Sequence, residues 1–293
     1  PMIVYQADKT QFLADVDTNA IDQIIYDRFK ERLKRHTSEA ELRSWRESMG
    51  YMHRILSDPQ IPADSGIAIE YKLPQTSKRV DLIVSGYDDQ NRESAVIIEL
   101  KQWSEAQKTD MDGIVRTRFS GRLVETSHPS YQAWTYACLL RDFNEYVYSN
   151  DLQIAPCAYL HNFSHPGSHA TLLDPAYADY LQKAPSFLRP DAQRLREFIR
   201  RHVRKGDRGR VLYSIENGVI RPSKNLADSV GSMLAGNPEF LMIDDQKVVY
   251  ETALALQSRS HLAGFGQNAP SFAADPTQPY TATHAHTTSS SPH

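Results

Sequence analysis

Apolar residues recur at helical spacing near the start of the chain. Ile21, Ile24, Ile25, Phe29 and Leu33 fall three and four apart and predict a helix over 16–35. Ser38 followed by Glu41 forms a capping-box pattern, and Leu42, Trp45, Met49, Met52 and Leu56 then make one apolar stripe. A second helix is expected over 38–57, closed by Pro59 and Pro62. The pattern then changes period. Strand-like runs occupy 67–73, 79–85 and 95–101, separated by a turn at 74–78 and a polar loop at 87–93. Residues 104–127 read as a long loop, 129–144 as a helix and 153–160 as a strand. Such an alternation predicts an α/β layer rather than a bundle or a sandwich. Helices are expected at 175–184, 190–205, 225–235 and 244–257, with a short strand pair around 211–220. From Ser258 the chain is rich in Ser, Thr, Pro, Ala and His and reads as disordered. The expected division is helices over 1–57, a core over 58–165, an accessory helical region over 166–257 and a tail over 258–293.

The composition, with 40% hydrophobic and 24% charged residues, is that of a water-soluble globular chain. No apolar run reaches membrane-spanning length, and the N-terminus does not resemble a signal peptide, so a cytoplasmic protein without membrane partners is expected. Cys138 and Cys157 form neither a disulfide framework nor a metal-type spacing. A net charge of −3 gives no overall attraction to nucleic acid, so such binding needs a local basic patch. Two are visible. Arg116, Arg118 and Arg122 lie in the 104–127 loop, and Arg200, Arg201 and Arg204 belong to an arginine-rich segment over 194–210. The second reads equally well as a solvated helix face. No G-x-S-x-G, H-E-x-x-H or G-x-G-x-x-G occurs, which leaves serine hydrolase, zincin and dinucleotide readings unsupported.

The chemistry sits in the strands. Residues two apart on a strand share a face, so Glu99 and Lys101 point together while Val96, Ile98 and Leu100 point into apolar surroundings. On the preceding strand Val80, Leu82 and Val84 share one face and Asp81 takes the other. Pairing of the two strands would bring Asp81 near Glu99. Facing carboxylates repel unless a divalent cation lies between them. Magnesium takes one or two carboxylates, several waters and phosphate oxygens, and a neighbouring lysine can orient a water and offset charge on a phosphoryl group. These residue types suit phosphodiester hydrolysis. The plain alternative is an ion pair at an exposed strand end.

Asp81, seventeen intervening residues and then Glu99-Leu100-Lys101 resemble the PD-(D/E)xK nuclease motif, with Val80 in place of the proline. Gln132 and Tyr136, one turn apart on the next helix, resemble the Q-x-x-x-Y motif of RecB-type and Cas4-type nucleases. The resemblance implies a restriction-endonuclease-like fold, a mixed sheet flanked by helices and followed by a mostly helical region. It also implies Mg²⁺ or Mn²⁺ held by Asp81, Glu99 and the Leu100 carbonyl, with Lys101 positioning water and Gln132 and Tyr136 steadying the substrate. A further ligand is expected on the helix before the sheet. Glu41, within about 40° of the Trp45 stripe, is the first candidate, and Glu70, on the first strand-like run, is the second.

A wider similarity runs from about residue 2 to residue 256. Segments such as "IEYKLPQTSKRVDLIVSG", "HPSYQAWTYACLLRDFN" and "FLMIDDQKVVYETAL" resemble the N-terminal part of bacterial proteins that join a nuclease-like domain to a Schlafen-type helicase. Gly-Lys occurs nowhere here, so no Walker A loop and no NTP site are expected. The expected partners are therefore DNA, with RNA as the other candidate, and a separate helicase or ATPase. Phage defence and DNA repair are the roles this resemblance implies. A module that binds nucleic acid or a partner without cleaving is the alternative. His161, His165 and His169 read as loop histidines, His128 as a helix cap and Cys138 as a buried, inert thiol.

Overall fold

A computed structural model describes residues 3–34, 37–74, 76–119, 121–164 and 171–228. A six-stranded mixed sheet runs through its centre in the order β1-β2-β3-β4-β8-β9. Strands β1 (Ile3–Asp8), β2 (Gly66–Lys72), β3 (Arg79–Tyr87) and β4 (Glu93–Lys101) pair antiparallel in succession. Strands β8 (Gln153–Leu160) and β9 (Ser186–Leu188) continue the sheet in parallel. The α/β fold class expected from the sequence is the observed one, with helices on both faces.

Each face has its own core. Helices α1 (Lys9–Asp17), α2 (Ile21–Leu33) and α3 (Glu39–Leu56) cover one, where Phe12, Ile25, Trp45 and Met49 meet Leu82, Val84, Val96 and Ile98. Helices α4 (Pro129–Phe143) and α5 (Glu145–Ser149) cover the other, where Ala137, Leu140 and Phe143 meet Ile83, Ala95 and Ile97. Strands buried on both faces explain the continuous apolar runs in β3 and β4. At the start of α3, the Ser38 hydroxyl accepts from the Glu41 backbone N–H at 3.2 Å, which is half of the expected capping box. The Glu41 carboxylate turns instead to Thr37 and Arg79. Ser38→Ala is expected to cost about 1 kcal/mol, read as a lower urea midpoint with an unchanged slope.

Several expectations are corrected. The helix read over 16–35 is the shorter α2, while residues 16 and 17 end α1, and the two helices are parted at Asn19, whose φ of 54° no helix interior admits. The strand β1 before them was not expected. The 104–127 loop is a second sheet of three strands, β5 (Gln107–Lys108), β6 (Ile114–Phe119) and β7 (Arg122–Ser127). Its base packs on a third core containing Val115, Tyr131, Phe163 and Tyr177. The strand pair around 211–220 is mostly a helix, and only Ile220 forms a bridge, to Asn144. Residues 224–228 begin the helix expected at 225–235. The remainder of that helix, the one at 244–257 and the tail after Ser258 fall outside the described residues.

After β8 come α6 (Ala178–Lys183), β9, α7 (Ala192–His202) and α8 (Arg210–Asn217). Leu195 and Ile199 of α7 enter the first core, and Val211, Leu212 and Ile215 of α8 enter the second. Asp207 locks this return. It is buried and accepts from the Gly66 N–H at 3.0 Å, the Ser85 hydroxyl at 2.8 Å and the Val211 N–H at 2.9 Å.

Candidate active site

The β3–β4 register runs from Tyr87–Glu93 to Leu82–Ile98 and stops there. Beyond it the Asp81 carboxylate takes the place of a ladder bond, accepting the Leu100 backbone N–H at 2.8 Å. The neighbouring strand is disturbed at the same level. Ile69 pairs with Leu82 and Tyr71 with Val80, while Glu70 between them has a φ of 57°. A left-handed glutamate inside a strand is strained and turns its neighbours. The alternation consequently breaks. Leu82 and Val84 lie in the first core, but Val80 lies in the second, against the expected common face.

This break divides the expected constellation between two sides of one parting. Glu99 points toward α4. Its Oε1 accepts from Lys101 Nζ at 2.8 Å and from Gln132 Nε2 at 2.7 Å. Gln132 Nε2 also donates to the Tyr136 hydroxyl at 2.7 Å. Glu99, Lys101, Gln132 and Tyr136 thus form one hydrogen-bonded chain, as the motif spacing implied. Glu99 is 3% exposed, and its Oε2 is buried without a hydrogen-bond partner.

Asp81 lies beside this chain and opens toward α3. It lines a cavity of about 180 Å³ with Glu41, Ser44, Ser48, Glu70, Arg79 and Leu100. Burial holds the Asp81 carboxyl well above the usual carboxylate range, the negative charges of Glu99 and Glu70 push it further, and Lys101 and the Leu100 N–H oppose them. Glu70 is raised to about 7, first by burial, against the pull of the Arg79 guanidinium and the Trp45 N–H. Trp45 Nε1 donates to it at 2.8 Å, and Arg79 Nε lies 2.6 Å from its other oxygen. Arg79 also pairs with Glu41 at 2.8 Å. Glu41, the first candidate for an additional ligand, therefore shares the Asp81 cavity but is held by Arg79. Among the described residues, no three or more His, Cys, Asp or Glu side chains are grouped to hold a metal by themselves.

His161 lies in the turn that follows β8, as expected of a loop histidine, but its surroundings are not those of an exposed loop. It is fully buried, with Nε2 3.1 Å from the Ser48 hydroxyl, and its ring stacks on Tyr51 with centroids 4.3 Å apart. Gln102, which follows Lys101, donates to the Ser44 hydroxyl at 3.0 Å and the Ser48 hydroxyl at 3.3 Å. Asn162 Nδ2 approaches the Gln102 carbonyl at 3.4 Å. This polar network ties α3 to the ends of β4 and β8. Its sequence signal was Ser44 and Ser48, two polar positions one turn apart beside the apolar stripe of α3. His165 and His169 lie outside the described residues. His128 does cap α4, its Nδ1 accepting from the Ser130 N–H at 3.1 Å.

The basic candidates separate. Arg200 is a strut, 3.2 Å from Asp58 and bonded to Gln60, which removes it from a free phosphate-contacting surface. Arg201 and Arg204 are exposed. Arg116 pairs with Glu125 at 2.5 Å and Arg118 with Glu105 at 2.7 Å, while Arg122 is exposed on β7. No helix among the described residues is long and apolar enough to cross a membrane. Comparison with known proteins gives no match to the chain among family models, curated proteins or solved structures.

Proposed function

We propose that the chain is a magnesium- or manganese-dependent nuclease of the PD-(D/E)xK type acting on DNA, with Asp81, Glu99 and Lys101 at its centre. One observation carries this reading. The Glu99 Oε2 atom is buried with no hydrogen-bond donor, beside an Asp81 carboxyl that burial first and the Glu99 charge second drive toward protonation. A lone buried carboxylate oxygen is costly unless a cation completes it. Two carboxylates and the Leu100 carbonyl match in type and number what magnesium takes from protein, leaving its other positions to water and phosphate. Glu41 and Glu70 are too firmly held by Arg79 and Trp45 to serve without rearrangement.

The bound cation would polarise a phosphate oxygen and acidify a water. Lys101 lies on Glu99 Oε1, close enough for its ammonium to orient that water and to offset charge gathering on the phosphate. Gln132 holds the same Oε1 and so fixes the direction of Oε2, and Tyr136 fixes Gln132. Partners that orient metal ligands are worth roughly 10- to 100-fold in affinity or activity. Gln132→Ala is therefore expected to raise the Mn²⁺ concentration for half-maximal cleavage by about tenfold. A metal titration of the cleavage rate checks this.

A second reading has one observation in its favour. The direct Lys101–Glu99 contact, at 2.8 Å, neutralises Glu99 without any cation. On that reading the chain binds nucleic acid without cutting it and serves a separate helicase or ATPase. Labelled single- and double-stranded DNA, and RNA, incubated with Mg²⁺, Mn²⁺ or EDTA decide between the two. Product that requires the metal supports the nuclease. Intact substrate under every ion, with binding that survives EDTA, supports the silent module. Defence against phage and DNA repair are the settings we propose for either activity.

A further inference from the structure

Four of the seven exposed large hydrophobics among the described residues, Met111, Phe119, Leu123 and Val124, lie on one excursion of the chain. It leaves β4 directly after Lys101 and returns at Pro129, the first residue of the helix that carries Gln132. Both ends of the excursion thus belong to the candidate active site. Its base is firmly set. Val115 and Thr117 are buried, the Thr117 hydroxyl donates to the Glu105 carbonyl at 2.8 Å, and the Tyr177 hydroxyl donates to the Ile114 carbonyl at 2.9 Å. The far end of β6 and β7 has no such cover, with Phe119 67% and Leu123 47% exposed.

The register pairs these side chains in a telling way. Phe119 lies opposite Arg122, and Leu123 lies opposite Arg118. Partners directly opposite share a face. Each face of the hairpin end therefore presents an arginine beside an apolar group. Glu125 is the lone acidic residue on these two strands. The ion pairs of Arg116 and Arg118 are exposed, worth little in water, and readily exchanged for a phosphate.

We propose that the β6–β7 end grips an unpaired stretch of the nucleic-acid substrate, with Phe119 stacking on a base and Arg118 and Arg122 neutralising adjacent phosphates. The proposal rests on the nuclease reading only in taking nucleic acid as what comes to this end of the sheet. An aromatic ring gains from stacking where base faces are free, which an intact duplex does not offer. The hairpin thus selects a single strand, or a frayed end, for the site its two roots build. A second copy of this chain is a poorer occupant, because self-pairing of this surface would set arginines against arginines.

The test is binding in EDTA, where no cleavage intervenes, measured by anisotropy of a labelled oligothymidylate and of a blunt duplex of equal length. Phe119→Ala changes an exposed side chain, and its melting curve verifies the fold. Its affinity for the single strand is expected to fall roughly tenfold, with duplex affinity unchanged. Arg122→Ala is expected to weaken binding to both and to lower the salt slope by about one. The proposal is overturned if wild type binds no single strand, if Phe119→Ala binds it as well as wild type, or if wild type sediments as a dimer that Phe119→Ala disperses. Weakened binding by Phe119→Ala without cleavage under any metal keeps the hairpin contact and removes the nuclease. Metal-dependent cleavage with Phe119→Ala binding unchanged does the reverse.

Discussion

Lys101→Ala is expected to lower single-turnover, metal-dependent DNA cleavage by roughly 100- to 1,000-fold, the usual loss when one group that stabilises transition-state charge is removed. The loss should fall on the rate and not on metal affinity. Lys101 Nζ sits 2.8 Å from Glu99 Oε1 and would compete with a cation for the same carboxylate. Removing it leaves Glu99 more open to metal, so the Mn²⁺ midpoint should stay the same or drop. Asp81→Asn should behave differently. It removes a proposed ligand together with one of two mutually repelling carboxylates, so its Mn²⁺ midpoint should rise along with the loss of rate. A Lys101→Ala protein that cleaves like wild type would leave the ammonium without a catalytic part.

Glu70→Gln is expected to gain stability relative to wild type between pH 5 and pH 7.5 in EDTA, by up to about 3 kcal/mol. Glu70 is raised to about 7 in the folded chain, from an ordinary value of 4.5. Between those two values the unfolded chain has released its proton and the folded chain has not. Folding is therefore penalised increasingly as pH rises through that window, and the penalty is complete above about 7. Asp81 is raised as well and adds in the same direction. His128 works the other way. Burial lowers it to about 4, so the unfolded chain binds the extra proton between about 4 and 6.5, and stability rises with pH there. The two trends offset in wild type below 6.5, which is why the difference between variant and wild type is the useful quantity. Urea unfolding at the two pH values measures it. A difference that does not change with pH would mean that Glu70 ionises as an ordinary surface carboxylate. Saturating Mn²⁺ should also stabilise wild type more at pH 7.5 than at pH 5, since a cation competes with the proton that burial holds on Asp81.

How much of this was legible in the sequence depends on how regular the backbone is. Strands β2, β3, β4 and β8 and helix α4 followed from period-two runs and from the Pro129 start, and their bounds lie within a residue or two of expectation. The meeting of Glu99, Lys101, Gln132 and Tyr136 followed as well, because each sits on an unbroken strand or helix. Asp81 did not, since its placement depends on the left-handed turn of Glu70 one strand away. Alternation presumes that no residue takes positive φ, and glutamate gives no warning that it will. The β5–β7 sheet was missed because its strands are half exposed, with arginines where a packed strand would show apolar residues. The run around 211–220 suggests strands because Val211, Leu212 and Ile215 are few and β-branched residues are among them, yet Arg210–Asn217 is a helix. The helix is held by tertiary contacts, with the Asp207 carboxylate accepting its Val211 N–H.

The central claim is that Asp81 and Glu99 share one divalent cation across the parting of β3 and β4. Crystals soaked in Mn²⁺ and measured at the manganese absorption edge test it most directly. One anomalous peak is expected within bonding distance of both carboxylates, on the Glu99 Oε2 that has no donor, with Lys101 still on Oε1. No peak at saturating Mn²⁺, with Asp81 still turned toward α3, would contradict it.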